Sequence, residues 1–294
     1  MIVRMNEPTI PAPSKLVAVA IPLSTRPTLS PDEEISLRHA AHYLGRYDKY
    51  MVSPMGLPVN FAGFGAKRFP RKYFGSVAAH ARLVTSRTFY EAFADYQYIL
   101  MYHLDSLVFS DQLEQWCQTN LDYIGPPWIN CADSPWVDKE RVGNNGFALM
   151  KVESFLKVLY STRRSVDPEQ HWREHYASKP RLTRCLNLPR RYLKRLPIFN
   201  SLQWQLYRWL RSSTAADALW ADWAVRYNPD FKIADVATGL RFAFEVAPRL
   251  CFERNHQQMP FGCHAWPRYD RAFWEPYLLK DDLAENKHLV ATQK

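Results

Sequence analysis

No stretch of this chain approaches the ~20 consecutive apolar residues of a membrane-crossing helix. Its opening, "MIVRMNEPTIPAPSK", puts prolines and polar residues where a signal peptide would carry its apolar stretch. The five cysteines (Cys117, Cys131, Cys185, Cys251, Cys263) are odd in number, scattered, and form no C-x-x-C pair. Neither a disulfide framework nor a zinc site is indicated, and a reducing, cytoplasmic compartment fits. No fixed-period repeat and no low-complexity tract is present. Acids are in the minority, 29 against 38 Lys and Arg, for a net charge of +9 and a pI near 9.3. That balance favours anionic partners (nucleic acid, nucleotide phosphates or an acidic membrane face) without choosing among them. What the chain does have is apolar substance: 294 residues, 47% hydrophobic and 14% aromatic, suffice for a full-sized core in one elaborate domain or two modest ones.

"KLVAVAIPL", Lys15 to Leu23, is a short apolar and β-branched run stopped by Pro22, the pattern of a strand buried on both faces. "SPDEEISLRHAAHYLG" offers Ser30 as N-cap, Pro31 at the first helical position, acids in the first turn and Gly45 at the end, which predicts a helix. "YDKYMVSP" reads as a second strand, and "SRTFYEAFADY" as a helix leading into the strand "YQYILMYHL". "DQLEQWC" reads as a helix, "DYIGPPW" as a strand ending in a turn, "GNNGFALM" as a glycine-flanked strand and "KVESFLKVLYS" as a helix. Such alternation predicts an α/β fold with a mostly parallel central sheet flanked by helices. Residues 163–211 break the rhythm: Arg and Lys far outnumber acids, Trp and Leu are interleaved, and prolines argue against one long helix. They read as a basic helical insertion.

Asp105, in "ILMYHLDSLVFSDQL", follows a strand directly, and parallel sheets gather functional groups at the carboxyl ends of their strands. It is either a site acid or a turn-capping aspartate. "VGNNGFALMKVESFL" would let a backbone approach a ligand closely, or is an ordinary loop. His264, in "MPFGCHAWPRYD", is either a ligand or a packed core histidine. Asp217 and Asp222, in "DALWADWAVRY", are five residues apart and do not share one face of an α-helix, so one is functional and the other solvated, or both are surface acids.

Taken together and in order, "AVAIPL", "YILMYHLDSLVF", "DYIGPPW", "VGNNGFALMKV", "ADWAVRY" and "PFGCHAW" resemble the bacterial family DUF5672, which is similar to the GT-A glycosyltransferases. The resemblance runs from Lys15 to Tyr277 apart from the insertion. It implies a GT-A-like (Rossmann-like) fold and a D-x-D type motif closing a central strand, of which His103-Leu104-Asp105 keeps the last position. Asp105 is thereby implied as ligand of a divalent metal, Mn2+ or Mg2+, with His264 as a late second ligand. His103, Pro22 and Arg82 are implied beside the nucleotide. Asn144, Asn145 and Gly146 are implied beside the sugar and acceptor, and Asp222, in the second position of an acidic pair, as the catalytic base. The chemistry suits these residue types: a hard cation neutralises the departing diphosphate, and a carboxylate takes the proton of an acceptor hydroxyl.

The expectation is therefore a glycosyltransferase domain over 15–280, with 163–211 inserted, a flexible N-terminal segment at 1–14 and a tail at 281–294. It would move a sugar from a nucleotide-sugar donor to a saccharide or lipid-linked acceptor, by inversion, in bacterial surface polysaccharide or lipopolysaccharide synthesis. Its expected location is cytoplasmic. The insertion is either a peripheral contact with the anionic face of the inner membrane or a solvated basic lid over the active site. The rival reading is a basic nucleic-acid- or membrane-binding protein without catalysis; no recognised nucleic-acid motif frames the arginines, and no nucleic acid is expected. Glycoside hydrolysis would need a second acid opposed to Asp105, and none is evident.

Overall fold

The computed structural model describes residues 12–26, 28–212 and 216–279. Residues 1–11 of the expected N-terminal segment and the whole 281–294 tail lie outside the described residues. The chain begins with β1 (Lys15–Pro22), α1 (Pro31–Tyr43), β2 (Asp48–Pro54), β3 (Gly65–Phe69), α2 (Val77–Val84), α3 (Arg87–Glu91) and β4 (Tyr96–Tyr102). There follow β5 (Leu107–Val108), α4 (Leu113–Gln118), β6 (Tyr123–Ile124), β7 (Pro127–Trp128), β8 (Arg141–Val142), β9 (Phe147–Lys151) and α5 (Val152–Tyr160). α1 starts where its sequence says it should. The Ser30 hydroxyl accepts from the Glu33 N–H while the Glu33 carboxylate accepts from the Ser30 N–H, so two of the helix's orphan donors are satisfied.

Six strands form the main sheet in the order β3-β2-β1-β4-β9-β6. β3, β2, β1 and β4 run parallel, but β9 is antiparallel to both β4 and β6. The sheet is therefore mixed: the α/β layering expected from sequence is present, and β9 alone runs against the other five strands. The sequence does not show that reversal, because a run such as Phe147–Met150, buried on both faces, carries the same apolar pattern whichever way it points.

That reversed strand has a consequence for the site. β4 brings its carboxyl end to one edge of the sheet, and β9, running the other way, brings its amino end to the same edge. Tyr102 lies opposite Phe147, and the His103 N–H donates to the Gly146 carbonyl at 2.8 Å. Ala20 lies opposite Met101 in the parallel pair β1·β4, so Pro22 and His103 leave the sheet together.

Residues 163–212 hold α6 (Pro168–His175), α7 (Arg181–Leu193) and α8 (Leu202–Ser212). The prolines do divide the segment, although α7 runs through Pro189. α8 is rooted in the main core by Leu202 and Leu206, whereas α7 buries no residue. A π-helical turn, Leu219–Trp223, leads into α9 (Ala224–Tyr227), then α10 (Val236–Phe242), β10 (Ala243–Phe244), α11 (Pro248–Arg254), β11 (Gly262–Cys263) and α12 (Arg271–Trp274).

β10, β11 and β5 make a small second sheet. Phe244 lies opposite Cys263, and Cys263 opposite Leu107, so Glu245, His264 and Ser106 follow one another across its edge. Among the described residues no helix is long and apolar enough to cross a membrane.

Candidate active site

The two sheets deliver their functional ends to one place. Asp105 sits in the turn between β4 and β5, and its carbonyl accepts from the Trp266 N–H at 3.0 Å, which ties the turn to the chain just beyond β11. The His264 side chain reaches Asp105 through Nε2 (3.3 Å to Oδ1) and Glu245 through Nδ1 (3.0 Å to Oε1). His103, Asp105 and His264 each offer a ligand atom within 4.8 Å of the others. The His264 side chain is 13% exposed and that of Asp105 47%, so the trio is anchored inside and open on the aspartate side.

Its electrostatics follow from that placement. Burial alone would lower the His264 pKa, but Asp105 and Glu245 outweigh it and hold it at about 10. Burial alone would raise Asp105, yet His264 and then His103 keep it below the usual carboxylate range. His103 is pushed down to about 3 by burial, aided by His80 and His264, and burial pushes His80 down to about 4. Both are neutral imidazoles with a free lone pair near neutral pH.

A cavity of about 120 Å³ opens beside the trio, walled by Val77, His80, Ala81 and Val84 of α2, by His103 and His264, by Asn144–Gly146, and by Ala216 and Asp217. The glycine in this wall leaves the His264 ring its room. A Cβ at Gly146 would stand 2.0 Å from His264 Nε2. Asn144 is a brace: its Nδ2 donates to Glu245 at 2.7 Å and its Oδ1 accepts from the Gly146 N–H at 2.7 Å. Asn145 accepts from the buried Tyr123 hydroxyl through Oδ1 at 2.8 Å. Its Nδ2, like His103 Nε2, is buried without a hydrogen-bond partner. Leaving such atoms unpaired costs on the order of 1–3 kcal/mol each, so two in one small cavity point to a bound group that pairs with them.

Asp217 lines the same cavity. Burial, with Glu245 adding to it, raises its carboxyl to about 7, while His264 and the nearby Asn145 amide oppose the rise. A carboxylate near neutrality within the cavity has the properties of a general base.

The other sequence candidates fall as follows. His103, Asn144, Asn145, Gly146 and His264 line the cavity, with Asp105 against His264. Pro22 stands at the same sheet edge, half-buried, outside the lining. Arg82 lies on α2 but is exposed, facing away from the side that carries His80, Ala81 and Val84. Asp222 lies outside the lining as well: the π-helical turn presents it to Arg141, which grips it with two hydrogen bonds, Nε to Oδ1 at 2.6 Å and a terminal nitrogen to Oδ2 at 3.0 Å.

Sequence reasoning passed over Glu245 and His80, and weighed Asp217 only as the alternative to Asp222. Glu245 carried the same signal as Asp105, a lone acid after an apolar run, in "RFAFEVAP". His80 carried none, since one histidine on a helix has no distinguishing pattern.

The residues present fit a divalent cation. Two imidazoles and a carboxylate form a donor set that manganese accepts once a cation displaces the proton on His264 Nε2, and His103 Nε2 is buried without a partner. The contact from His264 Nδ1 to Glu245 is the outer carboxylate that orients a metal-ligating imidazole.

Fold and site together define an α/β protein with a His-Asp-His cluster facing a small cavity. The chain belongs to the family described as "Protein of unknown function (DUF5672)", whose model matches residues 63–264 and so takes in the whole cluster, Asp217 and Glu245. No curated protein matches the chain.

Proposed function

We propose that this protein is a metal-dependent glycosyltransferase of the GT-A type, moving a sugar from a nucleotide-sugar donor to a hydroxyl of a saccharide or lipid-linked acceptor. The observation that carries the reading is the His103, Asp105 and His264 cluster at the carboxyl end of β4, opening on a cavity with two unpartnered buried polar atoms. The resemblance to GT-A enzymes supplies the donor class, and bacterial surface polysaccharide or lipopolysaccharide as the pathway.

In this reading Asp105 and His264 hold the cation, with His103 as third donor. Bound there, Mn2+ or Mg2+ would supply the positive charge that stabilises a leaving diphosphate. The chain's own residues do the rest. Glu245 keeps the His264 ring turned toward Asp105. Asn145 Nδ2 donates to a sugar hydroxyl or ring oxygen, satisfying its unpaired hydrogens. At about 120 Å³, well under the roughly 300 Å³ of a drug-sized pocket, the cavity suits one sugar ring rather than a whole nucleotide sugar.

Asp217, also in the cavity lining, accepts the acceptor's proton as the new glycosidic bond forms, the general-base role that a direct, inverting displacement requires. This moves the base from Asp222, whose lone pairs are engaged by Arg141.

A binding protein without catalysis accounts for the arginine-rich segment but leaves the cluster and its orphan atoms without a task. The two readings part in a thermal-shift experiment with nucleoside diphosphates plus manganese on one side and short oligonucleotides on the other. A shift with diphosphate and manganese together, lost in Asp105→Asn, supports transfer. A shift with oligonucleotides alone overturns it.

A further inference from the structure

The whole net charge of the chain resides in one segment. Residues 163–211 contain twelve Arg and Lys against three Asp and Glu, which leaves the remainder with 26 of each. Between Glu174 and Asp217 there is no acid at all.

α7, in the middle of this segment, is built inside out. At about 100° per residue, Leu182, Leu186, Pro189 and Leu193 share one stripe, with Cys185 and Tyr192 along its edge. An ordinary surface helix would turn that stripe to the core. Here Leu182 is 72% exposed, Leu186 71%, Tyr192 57% and Leu193 43%, and the apolar surface continues beyond the helix through Leu196 and Ile198.

The polar side is the side that packs. Arg191 and Arg195 pair with Glu169 at the start of α6, and the Arg191 guanidinium lies 5.2 Å from the centre of the Trp172 ring. Arg181 and Arg190 project at roughly 90° to either side of the leucines, the positions from which a helix lying in a headgroup plane contacts phosphates. Tyr207 of α8, also exposed and stacked with Trp204, adds amphipathic rings of the kind that settle at that depth.

We propose that α7 and the turn after it dock on an anionic lipid bilayer, with Leu182, Leu186, Leu193 and Ile198 in the acyl boundary and the flanking arginines on lipid phosphates. Charge and apolarity together select this occupant. Nucleic acid would pair with the arginines but set the leucines against phosphates. A second copy of the chain would bury the leucines but, across a two-fold axis, oppose the basic patch to itself. A bilayer with acidic headgroups satisfies both. The docking surface is joined to the cavity through the fold: α8 packs on α2, the helix whose Val77, His80, Ala81 and Val84 wall it.

The test is flotation of the full chain with vesicles of phosphatidylcholine alone or mixed with phosphatidylglycerol. The expected result is binding to the mixed vesicles ~10-fold or more tighter than to neutral ones, weakening as salt is raised. Leu182→Gln/Leu186→Gln/Leu193→Gln should lose binding ~10-fold or more with an unchanged melting temperature, because these side chains are exposed. Arg181→Gln/Arg190→Gln should lose only the preference for acidic lipid. Equal binding to both vesicle types, binding to neither, or a triple-glutamine variant that still floats would overturn the proposal. So would a dimer in sedimentation velocity that the triple variant abolishes, or oligonucleotide binding in place of vesicle binding.

Discussion

Replacing Gly146 by alanine tests whether the His264 ring is held where the structure puts it. The new Cβ would stand 2.0 Å from His264 Nε2 and 2.4 Å from Cε1, about 1.4 Å short of ordinary contact at 3.4 Å. The ring has nowhere near to go, because Nδ1 is fixed by Glu245 and Nε2 by Asp105. Retreat breaks one or both contacts, and overpacking of this kind costs ~1–3 kcal/mol. At ~2–4 °C per kcal/mol for a large domain, melting should fall by ~2–12 °C.

The cause is isolated by repeating the change in a His264→Ala background. Removing the ring removes the three atoms nearest to that Cβ, Gly146 does not adopt a left-handed backbone, and alanine lowers the entropy of the unfolded chain. Gly146→Ala should then be neutral within ~0.5 kcal/mol, or stabilising. Chemical denaturation of the four proteins gives the coupling. An equal cost in both backgrounds would refute the placement of His264 over Gly146.

Other outcomes follow from the same geometry. Asp217→Asn should reduce transfer ~100-fold or more at unchanged donor binding, as expected for a lost general base, whereas Asp222→Asn should change turnover little; the reverse result returns the base to Asp222. Asp222→Asn should cost no more than ~1 kcal/mol, since the pair with Arg141 is about one-third exposed on each side, and urea denaturation measures it. The folded-state pKa of Asp217 is raised, from about 4 to about 7, so its carboxyl contributes stability below pH 4 that is lost as pH rises to 7. Relative to Asp217→Asn, the wild type should therefore melt progressively lower across that window in metal-free buffer; a constant gap between the two would show the acid to be unshifted. His103→Ala should weaken manganese binding in the presence of nucleoside diphosphate ~10-fold, read by titration calorimetry, and unchanged affinity would remove it from the donor set.

Local signals in the sequence translated well into structure. The capping box at Ser30, the apolar runs of β1 and β4, and the glycine before Phe147 all mark elements that form. The conjunction of "YHLD", "GNNG" and "FGCH" also emerged as one site, because an acid after a strand and glycines before one are features of strand ends.

Direction and partnership were not legible. The reversal of β9 leaves no trace in a run buried on both faces. Asp217 and Asp222 look alike in "DALWADWAVRY", and only the π-helical turn and the grip of Arg141 separate them. The outward-facing leucines of α7 have the spacing of a buried stripe, and nothing in that spacing says that Glu169 would draw the opposite face inward.

The central claim, metal-dependent transfer from a nucleotide sugar at the Asp105–His264 cluster, is tested most directly by donor hydrolysis across the common nucleotide sugars, with and without manganese, on the wild type and Asp105→Asn. The account predicts release of nucleoside diphosphate from one donor class, dependent on manganese and reduced ~100-fold or more in the variant. Release that is indifferent to manganese and to Asp105, or no release from any donor, would contradict it.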